Sequence, residues 1–261
     1  MPLFSYRLCS WGHSPSSKPL INTWGIATSG TNVLIGEELG RRILKYTNAG
    51  VYVSSIGTAG TSYNKGEAWE VYSMAVDSSG QTWITAGGNR SVYIFDSSNK
   101  YVKEFQNGTF SNPAGIAFDA SGNVYISDGG AWWSDDIGNQ RVLIYNSSGT
   151  LLSQIGTTGV SGSDNAHFHG PQHIAIYGTS LYVADSGNAR VQIFTISNPS
   201  APVYAATIGV TGVTGNNNSH FDHPSGVAVN SGHIYVADRW NDRVQVFARN
   251  NRAYQATLGT G

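Results

Sequence analysis

The chain is poor in charge. Its 261 residues carry 15 Lys and Arg against 16 Asp and Glu, a formal net charge of −1. Phosphate backbones are bound through clustered basic residues, so this balance argues against a nucleic-acid partner. No apolar run reaches the length of a membrane-spanning helix. The single cysteine, Cys9, excludes an intramolecular disulfide and leaves a buried free thiol or a bond to another chain. The first thirteen residues show neither the apolar stretch nor the cleavage pattern of a signal peptide. A Gly-x-Ser-x-Gly elbow, a phosphate-cradling glycine loop and a cysteine-nucleophile context are all missing. No stretch holds a helical period.

What is present is a repeat. A small residue or His, then Ile, Val or Met, then Ala recurs at Gly25, Ser73, Gly115, His173 and Gly226, at intervals of roughly forty to sixty residues. Each start opens a short apolar run such as Gly115–Asp119. A Gly-bearing turn follows, then an alternating run such as Leu181–Asp185, then a third such as Arg190–Phe194. A fourth, more polar run ends in Ile-Gly or Leu-Gly, as at Ile155–Gly156 and Leu258–Gly259. Four antiparallel strands at this period make one blade of a β-propeller. The small first strand suits the crowded axis, and the polar fourth suits a wet outer edge. The whole chain therefore reads as one all-β domain with repeats near 13–57, 58–106, 107–156, 157–209 and 210–259.

Residues 182–194 and 235–247 spell nearly the same thirteen letters. They span strand two, its turn and strand three. The Asp closing strand two (Asp128, Asp185, Asp238) and the Arg opening strand three (Arg141, Arg190, Arg243) are brought together by that turn, where a charge-assisted hydrogen bond would hold its shape. Asn188 and Asn241 suit turn positions with unusual backbone angles. A pair copied from blade to blade reads as scaffold rather than catalysis.

One strand is left over. Residues 4–12 parallel the fourth strand of the other units, yet the last repeat already has its own. The chain then forms five blades with an added strand, or part of a six-bladed ring. The surplus strand could also pair with another copy, giving a homo-oligomer or polymer by strand addition.

These motifs resemble the NHL-repeat β-propellers. Residues 224–247 carry the pattern almost fully, residues 171–194 carry it with His173 in place of Gly, and residues 113–145 carry it with an insertion. The units at Trp24 and Tyr72 depart further, with Glu37 near the Asp position and Ser91 at the Arg position. The resemblance implies the fold. It leaves the function open among binding of protein, sugar or RNA and lyase or hydrolase chemistry.

Blade connections and the loops between strands two and three should share one face. Trp24, Trp69, Tyr72, Trp132, Trp133, Asp135 and Trp240 fall there, as do Trp11, His13, His167 and His169. Aromatic faces beside Asp and Asn suit a protein or glycan ligand, while rings packed on one another would merely cap the channel. Similar propeller lyases acting on amidated peptides use axial His ligands to zinc, which makes His173, His220 and His223 the metal candidates, for zinc or calcium. His167 and His220 precede Phe168 and Phe221, however, and repeated His-Phe also reads as packing between blades. The pairs Glu37-Glu38 and Asp135-Asp136 diverge in extended chain and read as solvated loops. Sequons at Asn89, Asn107, Asn146 and Asn217, on a Ser-, Asn- and Gly-rich surface, point to an extracellular or cell-surface glycoprotein. The expectation is a non-enzymatic binding or assembly module without a cofactor. The alternative is a metal-dependent lyase or hydrolase.

Overall fold

A computed structural model describes residues 20, 23–37, 42–56, 71–106, 108–129 and 138–259. They form five four-stranded antiparallel sheets, each in simple up-and-down order. Blade 1 comprises β1 (Thr23–Ser29), β2 (Asn32–Glu37), β3 (Arg42–Thr47) and β4 (Tyr52–Ile56). Blade 2 comprises β5 (Val71–Val76), β6 (Thr82–Ala86), β7 (Ser91–Phe95) and β8 (Tyr101–Phe105). Blade 3 comprises β9 (Pro113–Phe118), β10 (Val124–Asp128), β11 (Arg141–Tyr145) and β12 (Leu151–Ile155). Blade 4 comprises β13 (Pro171–Tyr177), β14 (Ser180–Asp185), β15 (Arg190–Thr195) and β16 (Val203–Gly209), and blade 5 comprises β17 (Pro224–Val229), β18 (His233–Asp238), β19 (Arg243–Ala248) and β20 (Tyr254–Leu258). The architecture is a five-bladed β-propeller. The surplus run at residues 4–12 lies outside the described residues.

Hairpin tips are set locally. Asp119 Oδ1 accepts the amides of Ser121 and Asn123, and Gly122 takes the left-handed backbone (φ 79°) that the turn requires. Proline opens β9, β13 and β17, the strand position where a missing amide costs least.

The core sits between blades. Each seam joins strands two, three and four of one blade to strands one, two and three of the next. Between blades 3 and 4, Tyr125, Val142, Ile144 and Ile155 meet Phe168, Ile174, Val183 and Phe194. Between blades 4 and 5 the counterparts are Tyr182, Val191, Ile193 and Ile208 against Phe221, Val227, Val236 and Phe247. Phe168 and Phe221 are fully buried in these seams, and each lies edge-on to a strand-three Phe at 5.8 Å. Fully burying such a side chain stabilises by about 1.5–3 kcal/mol.

Near the axis there is little room. A Cβ added at Gly115 would meet the Ile174 amide nitrogen at 2.7 Å and the Gln172 carbonyl at 2.9 Å. Strand-two hydroxyls stitch neighbouring inner strands together. Ser127 Oγ accepts the Gly115 amide at 2.7 Å and donates to the Gln172 carbonyl at 2.5 Å. Thr85 Oγ1 does the same for the Ser73 amide and the Ala114 carbonyl.

The repeated Asp and Arg form a clamp that grips the connection arriving from the preceding blade. Asp185 is fully buried. Its Oδ1 accepts the His169 amide at 2.7 Å, and its Oδ2 accepts from Asn188 Nδ2 at 2.8 Å and Arg190 Nε at 2.7 Å. Arg190 then donates to the carbonyls of Ser163, Asp164 and His167. Blade 5 copies this with Asp238, Asn241 and Arg243, which grips Asn217 and His220. Blade 3 uses Asp128, Asn139 and a looser Arg141. Burial pushes the Asp185 carboxyl up from its usual range, while Arg190, the His169 amide and Asn188 draw it back.

Two expectations need correction here. Asn188 and Asn241 act through their side chains, and the left-handed backbone falls one residue later, at Ala189 (φ 53°) and Asp242 (φ 49°). Glu37 is no solvated loop residue. It closes β2 at 0% exposure and pairs with Arg42, so the longer carboxylate takes the Asp position.

Arg190 is 1% exposed. Asp185→Ala would strand its charge and should cost about 3–5 kcal/mol, read as a lowered urea midpoint at unchanged slope.

Candidate functional site

The five inner strands enclose a cavity of about 600 Å³ along the axis, lined by Gly25, Ser73, Ala114, Gln172, His173 and Gly226 among others. The cavity extends sideways between blades 5 and 1, where Ile26, Tyr235, Ala237 and Val244 also line it. Inner strands of successive blades lie against one another from β1 through β17, and no comparable contact joins β17 back to β1.

An aromatic group borders this cavity. Trp24 stacks on Tyr72 at 5.3 Å between ring centroids, and the Arg239 guanidinium lies 5.1 Å from the Trp24 ring. A cation so placed is attracted by the ring's negative face. Beside it, His223 packs on Trp240 at 3.8 Å, and its Nδ1 is 2.6 Å from Asp222 Oδ1. Trp24 is 37% exposed and Trp240 53%. The sequence placed Trp24, Tyr72 and His173 in blade connections, but they sit on the inner strands β1, β5 and β13. Trp240 lies in the turn between strands two and three, as expected.

Arg239 was not singled out from the sequence. The signal was available in the repeat: it follows the clamp Asp where blades 3 and 4 carry Gly129 and Ser186. Trp69, Trp132, Trp133, Asp135 and Asn107 lie outside the described residues.

The three candidate metal ligands have separate partners. His173 Nδ1 lies 3.1 Å from the Val227 carbonyl. That contact ties β13 to β17 in the blade where Ala184 replaces the stitching hydroxyl of Thr85 and Ser127. His220 Nδ1 lies 2.7 Å from Asn217 Oδ1 and 3.1 Å from Ser219 Oγ. His223 is held by Asp222 and Trp240. Among the described residues, no three His, Cys, Asp or Glu side chains gather closely enough to hold a metal ion. His173, His220 and His223 therefore do not form the ligand set for zinc or calcium that their sequence positions suggested.

Of the sequons, Asn217 is exposed, while Asn146 and Asn89 are half-buried. Asn89 Nδ2, the atom a glycan would use, donates to the Tyr93 hydroxyl at 2.9 Å.

Desolvation holds the His173 imidazole below its ordinary pKa of 6.5, and its bond to Val227 opposes this only in part. The folded chain thus resists a proton that the unfolded chain accepts. The stability His173 supports should be complete above pH 6.5 and should decline as pH falls below it. In melting curves from pH 8 to pH 5, His173→Gln should show a shallower acid-side loss than the wild type.

Residues 221–247 match the NHL repeat family, and residues 171–208 match the LVIVD repeat. A probable peptidyl-alpha-hydroxyglycine alpha-amidating lyase of Caenorhabditis elegans is 27% identical over 219 residues, covering 82% of this chain and 59% of that protein. Human NHL repeat-containing protein 3 is 27% identical over 188 residues, covering 67% of this chain and 51% of its own length. The chain thus spans between half and three fifths of these relatives. Among solved structures, a chain of the nidogen/laminin complex superposes with a TM-score of 0.69 at 16% identity, over 91% of this chain and 80% of that one. The streptogramin B lyase structure gives 0.59 at 14% identity, over 94% and 85%. These two likenesses concern the fold alone. Repeat motif, blade topology and repeat matches agree, and the chain is a five-bladed β-propeller carrying NHL-type repeats.

Proposed function

We propose that this propeller is a non-enzymatic, extracellular binding module whose ligand, a segment of a partner protein, docks at the cavity edge marked by Trp24, Tyr72, Arg239 and Trp240. The observation that carries this reading is the joint presence of stacked aromatic rings, a guanidinium and a cavity of about 600 Å³. Trp, Tyr and Arg are the side chains that most often dominate binding energy, because they combine large apolar area with a polar tip. The cavity lies within the size range of ligand sites. Extracellular placement is supported by the low charge and by the exposed sequon at Asn217.

The test is a binding screen of extended peptides and soluble glycans on the folded protein. Trp24→Ala and Tyr72→Ala should each weaken the selected peptide by about thirtyfold, close to 2 kcal/mol, without lowering the melting temperature enough to unfold the chain. Equal binding by both variants removes the rings from the site. Selection of glycans alone makes the module a lectin.

A second reading is lyase chemistry, favoured by the C. elegans relative, whose match covers most of this chain. Because His173, His220 and His223 do not converge, no metal-dependent step is assigned to them here. Incubation with a peptidyl-α-hydroxyglycine separates the two readings: release of the peptide amide, measured by mass, would replace the binding module with the enzyme.

A further inference from the structure

A second cavity, of about 280 Å³, opens between blades 2 and 3, at the strand ends opposite Trp24 and Arg239. Its floor is apolar. The Trp83 ring lies 4.8 Å from Phe105 and 5.4 Å from Phe118, centroid to centroid. Blades 3, 4 and 5 carry Tyr125, Tyr182 and Tyr235 at the Trp83 position. The indole is fixed in place, because its Nε1 donates to Asp77 Oδ2 at 2.9 Å. Asp77 Oδ1 accepts the amides of Ser79 and Gln81 and the Ser79 hydroxyl. The carboxylate charge is thus spread over four donors, and Oδ2 keeps a lone pair for a further one.

The rim is polar and lacks the latch found at neighbouring seams. Between blades 1 and 2, Asn99 Nδ2 donates to Ser54 Oγ at 3.2 Å, and between blades 3 and 4, Ser153 Oγ donates to the Pro199 carbonyl at 2.6 Å. Blade 2 has Lys103 where those blades have Ser54 and Ser153. Among the described residues, the Lys103 ammonium and the side chains of Gln81 and Ser147 have no bonding partner, so all three line the cavity with their bonding capacity unused. The far wall is the turn at residues 146–149. Gln106 Nε2 ties it to blade 2 by donating to the Gly149 carbonyl at 2.6 Å. Floor and wall are therefore held before any ligand arrives, which lowers the ordering cost of binding.

We propose that this cavity binds one unit of an acidic sugar, a hexuronate. The ring C–H surface would lie on the Trp83 and Phe118 floor, as apolar sugar faces suit aromatic rings. The carboxylate would meet Lys103 and the Ser147 hydroxyl, and ring hydroxyls would bond Gln81 and Asp77 Oδ2. The volume falls just below the roughly 300–1,000 Å³ of drug-sized ligand sites, which leaves room for a single sugar ring. The site is separate from the cavity edge, and the inference is independent of the peptide proposed there.

The probes are methyl β-D-glucuronide and methyl β-D-glucoside, which differ only in a carboxylate against a hydroxymethyl group. Titrated into the folded full chain, the glucuronide should shift the Trp83 indole N–H resonance saturably, with a Kd on the order of 1 mM. The glucoside should bind about fivefold more weakly, the upper range for an exposed ion pair. That preference should vanish in Lys103→Met and fade at high salt. Lys103 is exposed on the outer strand β8, so an unchanged melting curve should accompany the variant. Absence of a saturable Trp83 shift, equal affinity for the two probes, or a preference that survives Lys103→Met would overturn the proposal. Shifts confined to Trp24 and Trp240 would also overturn it, by moving the sugar to the cavity edge.

Discussion

One buried carboxylate in each of four blades carries much of this fold's geometry. Asp185 joins three things that local structure would leave apart: the end of strand two, the start of strand three and the connection from the previous blade. Arg190 extends the same grip to three backbone carbonyls of that connection. An irregular segment has no ladder to satisfy its polar groups, so without such partners it could not lie against a buried seam. Once the connection is pinned, Phe168 beside it is delivered into the apolar space between blades. Charge and core are thus coupled: the ion pair is poorly solvated because the seam is packed, and the seam packs because the ion pair holds the chain that fills it.

Blades that depart from this rule show what it supplies. Blade 2 has Ala86 and Ser91 where the others carry Asp or Glu and Arg, and its turn is held instead by the Ser91 hydroxyl against the Asn89 carbonyl and Glu104. Blade 1 keeps the pair as Glu37 and Arg42. Toward the axis a second device operates, in which hydroxyls at Thr85 and Ser127 bridge inner strands and His173 takes over where Ala184 cannot. This is a structural role for the histidine that most resembled a metal ligand. The aromatic group at the cavity edge arises in blades 1 and 5, where the clamp is kept but Gly36 and Ala237 replace the bridging hydroxyl.

Much of the fold was legible because a propeller is written in serial copies. Period-two apolar runs, Gly-bearing turns and the recurring Asp and Arg located four strands per unit before any coordinates. The candidate site was legible only in part. Trp24, Tyr72 and Trp240 could be picked as aromatic residues near one face, but their partners could not. Arg239 reaches Trp24 from the far end of the chain, and no periodicity carries that information. Glu37 was misread because adjacent carboxylates look solvated in sequence, whereas a strand end facing an Arg buries one of them completely.

The amino-acid sequence alone determined the strand order, the blade unit and the residues of the clamp, since all of these depend on contacts within one repeat. The tertiary structure decided which side chains each seam buries and how the histidines are partnered. Those outcomes depend on how rigid sheets meet around an axis. That is a property of the ring, and no single repeat encodes it.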